Sequence, residues 1–218
     1  MPANGLQPKV LHGFFRSSAA WRVRIALNLK GLTVSHVAHN LRRGEQSAAD
    51  YRTLNPQGLV PTLVLADGTA LTQSLAIMAW LDEAYPTPPL LPADPILRAR
   101  ARAFTVLVVA DTHPLQNLKI LRRLREAGLD QVAVNEFAAA ANRDFLAAGE
   151  TLLAESPGPF CFGAHPTLAD IVLVPQLFGA RRFGVDVSAY KNLLAREAAC
   201  LALPAFADAD PARQPDAE

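Results

Sequence analysis

The chain has 218 residues, half of them apolar, and its formal net charge at pH 7 is +1. This length allows one or two domains with a sizeable core, and the balanced charge gives no reason to expect binding to nucleic acid or a membrane surface. Residues 1–8 are too polar for a signal peptide, and the apolar run 104–110 is too short to cross a bilayer. The only cysteines, Cys161 and Cys200, are therefore predicted to be reduced thiols of a cytoplasmic protein.

The first third of the chain alternates strand and helix patterns. A strand is predicted at 9–13, and a helix begins after Ser17-Ser18 and ends near Gly31. A second strand at 33–38 and a short helix at 47–54 follow. A hairpin pairs 62–65 with 69–72, and Ser74 is expected to cap a helix over 74–84. This order of elements predicts an α/β unit.

Five prolines between residues 86 and 95 predict a stiff linker. Beyond them the patterns are helical, at about 94–111, 115–127, 131–155, 167–181 and 188–202. Thr167 and Asp170 have the spacing of a capping box, and Pro175 is expected to kink the helix that contains it. From Ala207 onward large apolar residues are few, so this segment is expected to fray.

Two serines lie where the first strand gives way to the first helix. Ser17 can act as an ordinary N-cap, since its oxygen can accept an unpaired backbone N–H of the helix. The same position also suits an anion site, because a helix N-terminus carries partial positive charge and free donors. From these residues alone both interpretations stay open, and capping is the commoner one.

The segment 15–27, FRSSAAWRVRIAL, closely resembles the signature of zeta-class glutathione transferases, the family of maleylacetoacetate and maleylpyruvate isomerases. Six later segments resemble the family in the same order, at 54–56, 60–63, 73–77, 114–118, 167–170 and 182–183. The resemblance implies an α/β thioredoxin-like N-terminal domain (1–86), a proline-rich linker (87–96) and an all-α C-terminal domain (97–218). One residue departs from the family, which usually has cysteine where this chain has Ala19.

The resemblance implies that glutathione is the cofactor. Ser17 would then stabilise its thiolate, with Ser18 as a second donor. Base rates favour a trans bond before Pro61, but the family keeps a cis proline there, so that the backbone of the preceding residue pairs with glutathione. The predicted glutathione-binding residues are Ser17, Ser18, Gln46, Val60, Pro61, Gln73, Ser74, His113 and Asn117.

The resemblance also implies that Arg182 reaches the active site, so Ser17, Ser18 and Arg182 are the predicted catalytic residues. Arg182 and Arg16 are the predicted contacts for a substrate carboxylate. A lone histidine such as His113 is more often a packed or solvated residue than an acid–base group. No metal site is expected, because none of the five histidines forms a helical pair flanked by carboxylates.

The favoured function is glutathione-dependent cis–trans isomerisation of maleylpyruvate or maleylacetoacetate in aromatic-compound catabolism, by reversible addition of the thiolate. Two alternatives stay open: a transferase that conjugates or dehalogenates small electrophiles, and a non-catalytic protein that binds glutathione or another ligand. Ala19 argues against the dehalogenase, because that chemistry requires a protein thiol. The family further implies a homodimer.

Overall fold

A computed structural model describes residues 6–156 and 158–218, which form two compact units. The first unit contains residues up to Pro89 together with Leu203–Glu218, and the second contains Leu90–Ala202. Residues 1–5, which belong to the segment judged too polar for a signal peptide, lie outside the described residues. None of the helices within the described ranges is long and apolar enough to cross a membrane.

A four-stranded mixed sheet forms the centre of the first unit. Its strands are β1 (Pro8–Gly13), β2 (Ser35–Ala38), β3 (Thr62–Leu65) and β4 (Ala70–Thr72). The strand order is β2-β1-β3-β4, with β2 parallel to β1 and the other two pairs antiparallel. The buried side chains of Leu11, Leu63 and Leu65 place the core on one face of the two central strands.

Three helices complete the α/β part of the first unit. They are α1 (Ser18–Leu29), α2 (Ala49–Leu54) and α3 (Ser74–Ala84). α1 and α3 contact each other, and their apolar side chains, among them Val23, Ile25, Ile77 and Leu81, are fully buried. Lys30, just after α1, donates to Asp82 of α3 across 2.8 Å and therefore joins the ends of the two helices.

The second unit is helical. It contains α4 (Pro95–Val106), α5 (Leu118–Glu126), α6 (Gln131–Leu153), α7 (Leu168–Arg182) and α8 (Lys191–Leu201). Between α4 and α5 the chain forms a π-helical stretch, Leu107–Thr112, and a 3₁₀ turn, His113–Gln116. α7 is buried along nearly its whole length and begins with the capping box predicted for Thr167 and Asp170.

The last residues of the chain differ from the prediction. They do not fray but pack on the first unit, with a short helix α9 (Pro204–Ala207) and a 3₁₀ turn at Pro211–Arg213. Phe206 and Ala209 are buried. The helical domain expected over 97–218 thus differs from the observed unit in this final segment, which belongs with the sheet.

Candidate functional site

One end of the sheet gathers four connecting segments. His12 near the end of β1 is paired with Thr62 at the start of β3, and Thr62 is paired with Thr72 at the end of β4. Gly13 is paired with Ala38, the last residue of β2. All four strands begin or end at this end of the sheet, so the segments that connect to them here are neighbours. These segments are 14–17, 39–46, 60–61 and 73–74, and they contain most of the predicted glutathione contacts.

Ser17 occupies the N-cap of α1. Its Oγ accepts the backbone N–H of Ala20 at 3.2 Å, so the capping interpretation of this serine is confirmed. A hydroxyl that accepts in this way still has its own proton to donate. Ser18 is the first helical residue and is half-buried. The start of α1 therefore combines two hydroxyls with backbone donors of the first helical turn.

Arg22 adds a buried positive charge to α1. It lies four residues after Ser18, hence on the same helix face, and helical side chains lean toward the N-terminus. Its Nε and Nη2 have no hydrogen-bond partner within the described part of the chain. Burial lowers the pKa of Arg22 to about 9, which leaves the guanidinium charged at neutral pH. Arg22 therefore raises the positive potential along α1.

The bond between Val60 and Pro61 is cis, as the resemblance implied. The residues on both sides of it are fixed by the buried side chain of Tyr51 in α2. Its hydroxyl donates to the carbonyl of Leu59 at 2.6 Å and forms a hydrogen bond with Oγ1 of Thr62 at 2.9 Å. Asn55 also donates to the Leu59 carbonyl, at 2.6 Å. The backbone at Val60–Pro61 is thus held from both ends.

The junction between β4 and α3 is strained. Gln73 has φ 67° and ψ 115°, a left-handed region that non-glycine residues occupy at a cost of about 1–3 kcal/mol. It takes the N-cap position that was expected for Ser74, and Ser74 instead is the first residue of α3 and is buried. Gln57 accepts a hydrogen bond from the Gln73 amide at 2.7 Å. Strain of this kind beside a helix N-terminus is typical of a ligand site.

Gln46 presents a buried acceptor without a partner. No residue that the structure describes donates to its Oε1, and an unsatisfied buried oxygen is uncommon in a folded protein. The backbone carbonyl of Gln46 packs against Gly58, where a Cβ would lie only 3.1 Å away and φ is +61°. Glycine is required at position 58, because only it fits both the left-handed conformation and this close approach.

In the second unit, a network of three side-chain amides fixes the segment 113–117. Gln116 donates to Gln176 of α7 at 2.9 Å, and Gln176 donates to Asn142 of α6 at 2.7 Å. Asn142 in turn donates to Gln116 at 3.0 Å, which closes the ring. His113 begins this segment, and Asn117 ends it as the N-cap of α5. The network therefore holds two predicted glutathione-binding residues against α6 and α7.

The two arginines at the end of α7 have different surroundings. Arg181 forms a bidentate ion pair with Glu197 of α8, with both N–O distances at 2.6 Å, and these hydrogen bonds raise the pKa of Arg181. Arg182 is exposed and its guanidinium lies 5.4 Å from the ring centre of Phe183. Phe183 packs on a buried cluster that includes Leu121 of α5. Arg182 thus lies close to α5, the helix that Asn117 caps.

Arg16 is half-buried and lies directly before Ser17. Its guanidinium is 5.9 Å from the ring centre of Phe15. Arg16, Ser17, Ser18, Gln46, Val60, Pro61, Gln73 and Ser74 belong to the first unit. His113, Asn117 and Arg182 belong to the second.

A pair of histidines joins β1 to the first residue of the segment 39–46. His12 Nδ1 and His39 Nε2 are 2.9 Å apart, and His39 stacks on Tyr51 with ring centres 4.3 Å apart. Burial lowers the pKa of both imidazoles, and for His12 the neighbouring His39 lowers it further. Residues 6–156 and 158–218 contain no group of three or more histidine, cysteine or acidic side chains that could hold a metal ion.

Both cysteines are buried near the start of α7. Asp170 accepts the backbone N–H groups of Cys161 and Thr167, each at 2.8 Å, and Cys200 Sγ lies 3.7 Å from its Oδ1. Burial raises the pKa of Asp170 and of both thiols. These thiols are therefore structural and belong to the core.

Three residues that fix or charge the segments described above were missed by the sequence analysis. Tyr51 lies in a short helix with a weak pattern, and Arg22 reads as part of a polar helix face. Gln176 lies in an apolar helix, where a single glutamine is the one signal that an internal partner is needed.

Comparisons with known proteins agree with this geometry. Residues 16–84 match the family "Glutathione S-transferase, N-terminal domain", and residues 131–195 match "Glutathione S-transferase, C-terminal domain". A maleylpyruvate isomerase of a Ralstonia species is 46% identical over 209 residues, which cover 94% of this chain and 98% of the relative.

Two solved structures are also similar to the chain. One is a holo maleylpyruvate isomerase described as a bacterial zeta-class glutathione S-transferase. It has a TM-score of 0.92 and 44% identity, and the match covers 96% of this chain and 100% of that one. The other is a maleylacetoacetate isomerase from Anaeromyxobacter dehalogenans with dicarboxyethyl glutathione and citrate in its active site. Its TM-score is 0.86 with 42% identity, over 96% of this chain and 93% of that one.

The predicted combination of a thioredoxin-like α/β domain with an all-α domain is confirmed by these matches and by the sheet and helices described above. Identity above 40% over nearly the whole length extends the likeness from the fold to the family. The chain therefore belongs to the zeta class of the glutathione S-transferase family and is an enzyme of that class.

Proposed function

We propose that this enzyme is a glutathione-dependent cis–trans isomerase of a maleyl-type diacid, with maleylpyruvate and maleylacetoacetate as the candidate substrates. The observation that carries the proposal is the start of α1, where two serine hydroxyls lie at a helix N-terminus. This helix start lies at the end of the sheet where the segments 14–17, 39–46, 60–61 and 73–74 are neighbours. The ligand in the Anaeromyxobacter relative supports the chemistry. Dicarboxyethyl glutathione is the product that addition of the glutathione thiol to the double bond of maleate, the parent cis-diacid, would form.

The residues at this end of the sheet fit glutathione. The unpartnered Oε1 of Gln46 offers an acceptor for an N–H of a peptide ligand. The backbone at Val60, before Pro61, suits main-chain pairing with such a ligand. Ser74 and the N-terminus of α3 suit the γ-glutamyl carboxylate, since a helix start favours an anion. The strained Gln73 beside it is consistent with a position that serves binding.

Bound glutathione supplies a thiolate that adds reversibly to the cis double bond, so that rotation and release give the trans isomer and unchanged glutathione. Ser17 stabilises this anion by donating a hydrogen bond from its hydroxyl, and Ser18 is a second hydrogen-bond donor. Lowering a thiol pKa from about 8.5 to about 6.5 corresponds to about 2.7 kcal/mol. A hydrogen bond to a charged group contributes about 1.5–3 kcal/mol, and a helix N-terminus about 0.3–1 kcal/mol, so together they suffice.

Arg182 is proposed to bind a carboxylate of the diacid through two parallel hydrogen bonds from its planar guanidinium group. Arg16 is proposed to raise the local positive potential. A cation is needed because the diacid and the thiolate are both negative and would otherwise repel each other. Asn117 and His113 are proposed to line the glutathione site. The ion pair with Glu197 commits Arg181 to α8, which favours Arg182 over its neighbour.

Ala19 distinguishes isomerisation from the reductive alternative. Reduction of a halogenated substrate through a mixed disulfide with glutathione requires a cysteine beside the bound thiol. Neither Cys161 nor Cys200 can serve, because both are buried at the start of α7. Isomerisation needs no protein thiol. We further propose that the enzyme is a homodimer in the cytoplasm, as the family resemblance implies.

The function can be tested by mixing the purified enzyme with glutathione and each candidate cis-diacid. We expect an absorbance change with at least one diacid, a trans product by chromatography, and full recovery of glutathione. Stoichiometric loss of glutathione would indicate a conjugating transferase instead. Binding of glutathione without turnover of any electrophile would indicate a binding protein.

The role of Ser17 can be tested separately. Ser17→Ala should raise the pKa of the bound thiol, measured from thiolate absorbance against pH, and should lower kcat strongly. Ser18→Ala is the matched control and should cost less. Wild-type activity in Ser17→Ala would overturn the assignment, and a larger loss in Ser18→Ala would transfer the role to that residue.

A further inference from the structure

The C-terminal segment, Leu203–Glu218, is anchored on the first unit by buried apolar residues. Phe206 has no exposed surface and Ala209 is 1% exposed. Asn28 of α1 donates to the carbonyl of Ala205 at 3.0 Å. The segment therefore has a defined path from α9 to its last residues.

This path ends on the turn that leads into Ser17. Asp216 Oδ2 accepts the backbone N–H of Phe15 at 2.9 Å. Arg24 of α1 donates from Nη2 to the carbonyl of Phe15 at 2.8 Å and from Nε to the carbonyl of Ala209 at 3.1 Å. Both polar groups of the Phe15 backbone are thus held, one by the C-terminal segment and the other by a side chain tied to it. Phe15 lies only two residues before Ser17.

Arg24 is a charged link in this arrangement. Burial lowers its pKa to about 10, while Asp216 and Asp210 raise it. The guanidinium therefore stays ionised at neutral pH, and two acidic side chains of the C-terminal segment favour its charged form. A hydrogen bond to a charged group is stronger than one between neutral groups, so Asp216 and Arg24 restrain the turn from both sides.

A second contact reaches the segment that contains Gln46. Glu218 accepts from the side chain of Asn40 at 2.8 Å and from Arg42 at 3.0 Å. Both Arg42 and Glu218 are well exposed, so water and salt weaken this pair. Asn40 is itself tied to Glu45, the residue before Gln46, by a 2.6 Å hydrogen bond from its backbone N–H. Glu218 thus contributes a weaker restraint than Asp216.

We propose that the C-terminal segment is a positioning element for glutathione, in which Asp216 fixes the turn that carries Ser17 and Glu218 steadies the segment that carries Gln46. This inference rests on the proposed function only in naming the ligand. Neither residue touches the reacting atoms. Their loss is expected to act through misplacement of the serine hydroxyl, and small misplacements of this kind lower catalysis by about ten- to a hundredfold.

The test compares Asp216→Ala and Asp216→Asn with Asp208→Ala. Asp208 is the matched control, because it lies in the same segment but pairs with exposed Arg213. Amide hydrogen exchange without glutathione comes first, and Asp216→Ala should speed exchange at residues 13–18. Steady-state kinetics come second, and the same variant should lower kcat/KM for glutathione about ten- to a hundredfold and leave the KM for the diacid nearly unchanged. Asp216→Asn keeps an acceptor oxygen and should fall in between.

Unchanged exchange at 13–18 in Asp216→Ala would overturn the proposal, as would equal effects in Asp208→Ala. Faster exchange with an unchanged kcat/KM for glutathione would also overturn it, because the segment would then stabilise the turn without positioning the serine against the ligand. If Asp216→Ala does not fold, Asp216→Asn and Glu218→Ala decide by the same readouts. Failure of wild-type enzyme to bind glutathione would refute the proposed function, whereas the exchange data would still show whether Asp216 holds the turn.

Discussion

Replacing Gln176 with methionine tests the amide network that fixes the segment 113–117. Methionine matches glutamine in length and in flexibility but has no amide group. Asn142 would lose the donor to its Oδ1, and Gln116 would lose the acceptor of its Nε2. Asn142 is fully buried, so its unsatisfied oxygen costs about 1–3 kcal/mol. Gln116 is half-buried and can turn toward water, which makes its loss smaller, about 0.5–1 kcal/mol.

The sum predicts that Gln176→Met lowers the free energy of unfolding by about 1.5–4 kcal/mol. For a chain of this size, 1 kcal/mol corresponds to about 2–4 °C in Tm, so the variant should melt about 3–16 °C lower. Circular dichroism at 222 nm is the assay, because the affected unit is helical. Gln131→Met is the control, since Gln131 makes hydrogen bonds through an exposed amide, and it should change stability by less than about 0.5 kcal/mol.

A second comparison separates lost hydrogen bonds from poor packing. Adding Asn142→Leu to Gln176→Met removes one unsatisfied buried group, so the double variant should recover part of the loss. Equal melting temperatures for Gln176→Met and Gln131→Met would refute the account of the network. A double variant that loses the sum of the two single effects would show that the amides do not act together.

Arg182→Lys should raise the KM for the diacid about tenfold and change the KM for glutathione little, because lysine keeps the charge but cannot form two parallel hydrogen bonds to a carboxylate. Kinetics with each substrate varied in turn would check this. If only Arg16→Ala raises the KM for the diacid, Arg16 binds the carboxylate and Arg182 does not. Asp170→Ala should lower the free energy of unfolding by about 3–5 kcal/mol, since two buried backbone donors lose their acceptor; a change under about 1 kcal/mol in urea unfolding would contradict this. Burial lowers the pKa of His12 and His39, so their contribution is complete above about pH 6.5 and is lost as the unfolded chain takes up protons below it. Stability measured from pH 7 to about pH 5 should therefore fall less in His39→Gln than in wild type, and equal slopes would argue against the pair as the cause.

The order of elements could be predicted because local signals mark most of them. α3 begins and ends where its pattern predicts, and the capping box of α7 was visible in the spacing of two residues. The frayed C-terminus was a wrong prediction. Composition shows only that large apolar residues become scarce there, whereas the segment is held by contacts such as that of Arg24 with a carbonyl 185 residues away.

The residues of the candidate site also include some that local sequence signals predict and some that they do not. Positions next to strand ends and helix starts, such as Ser17 and Gln73, could be predicted because the chain must turn there. The amide network could not, since its three members are separated by 26, 34 and 60 residues and come from three different elements. Which serine faces the sulfur and how Arg182 acts stay predictions, because both depend on a ligand that sequence patterns do not describe.

The burial of both cysteines also affects how this protein reacts with electrophiles. Conjugated diacids are electrophiles, and an exposed thiolate on an enzyme that handles them would be alkylated over many turnovers. Cys161 and Cys200 have no exposed surface, burial raises their pKa values, and position 19 carries a methyl group. Neither of the two cysteine thiols of the folded chain is thus accessible to an electrophile, so that thiol alkylation would consume glutathione, which can be replaced, and would leave both cysteines of the enzyme intact.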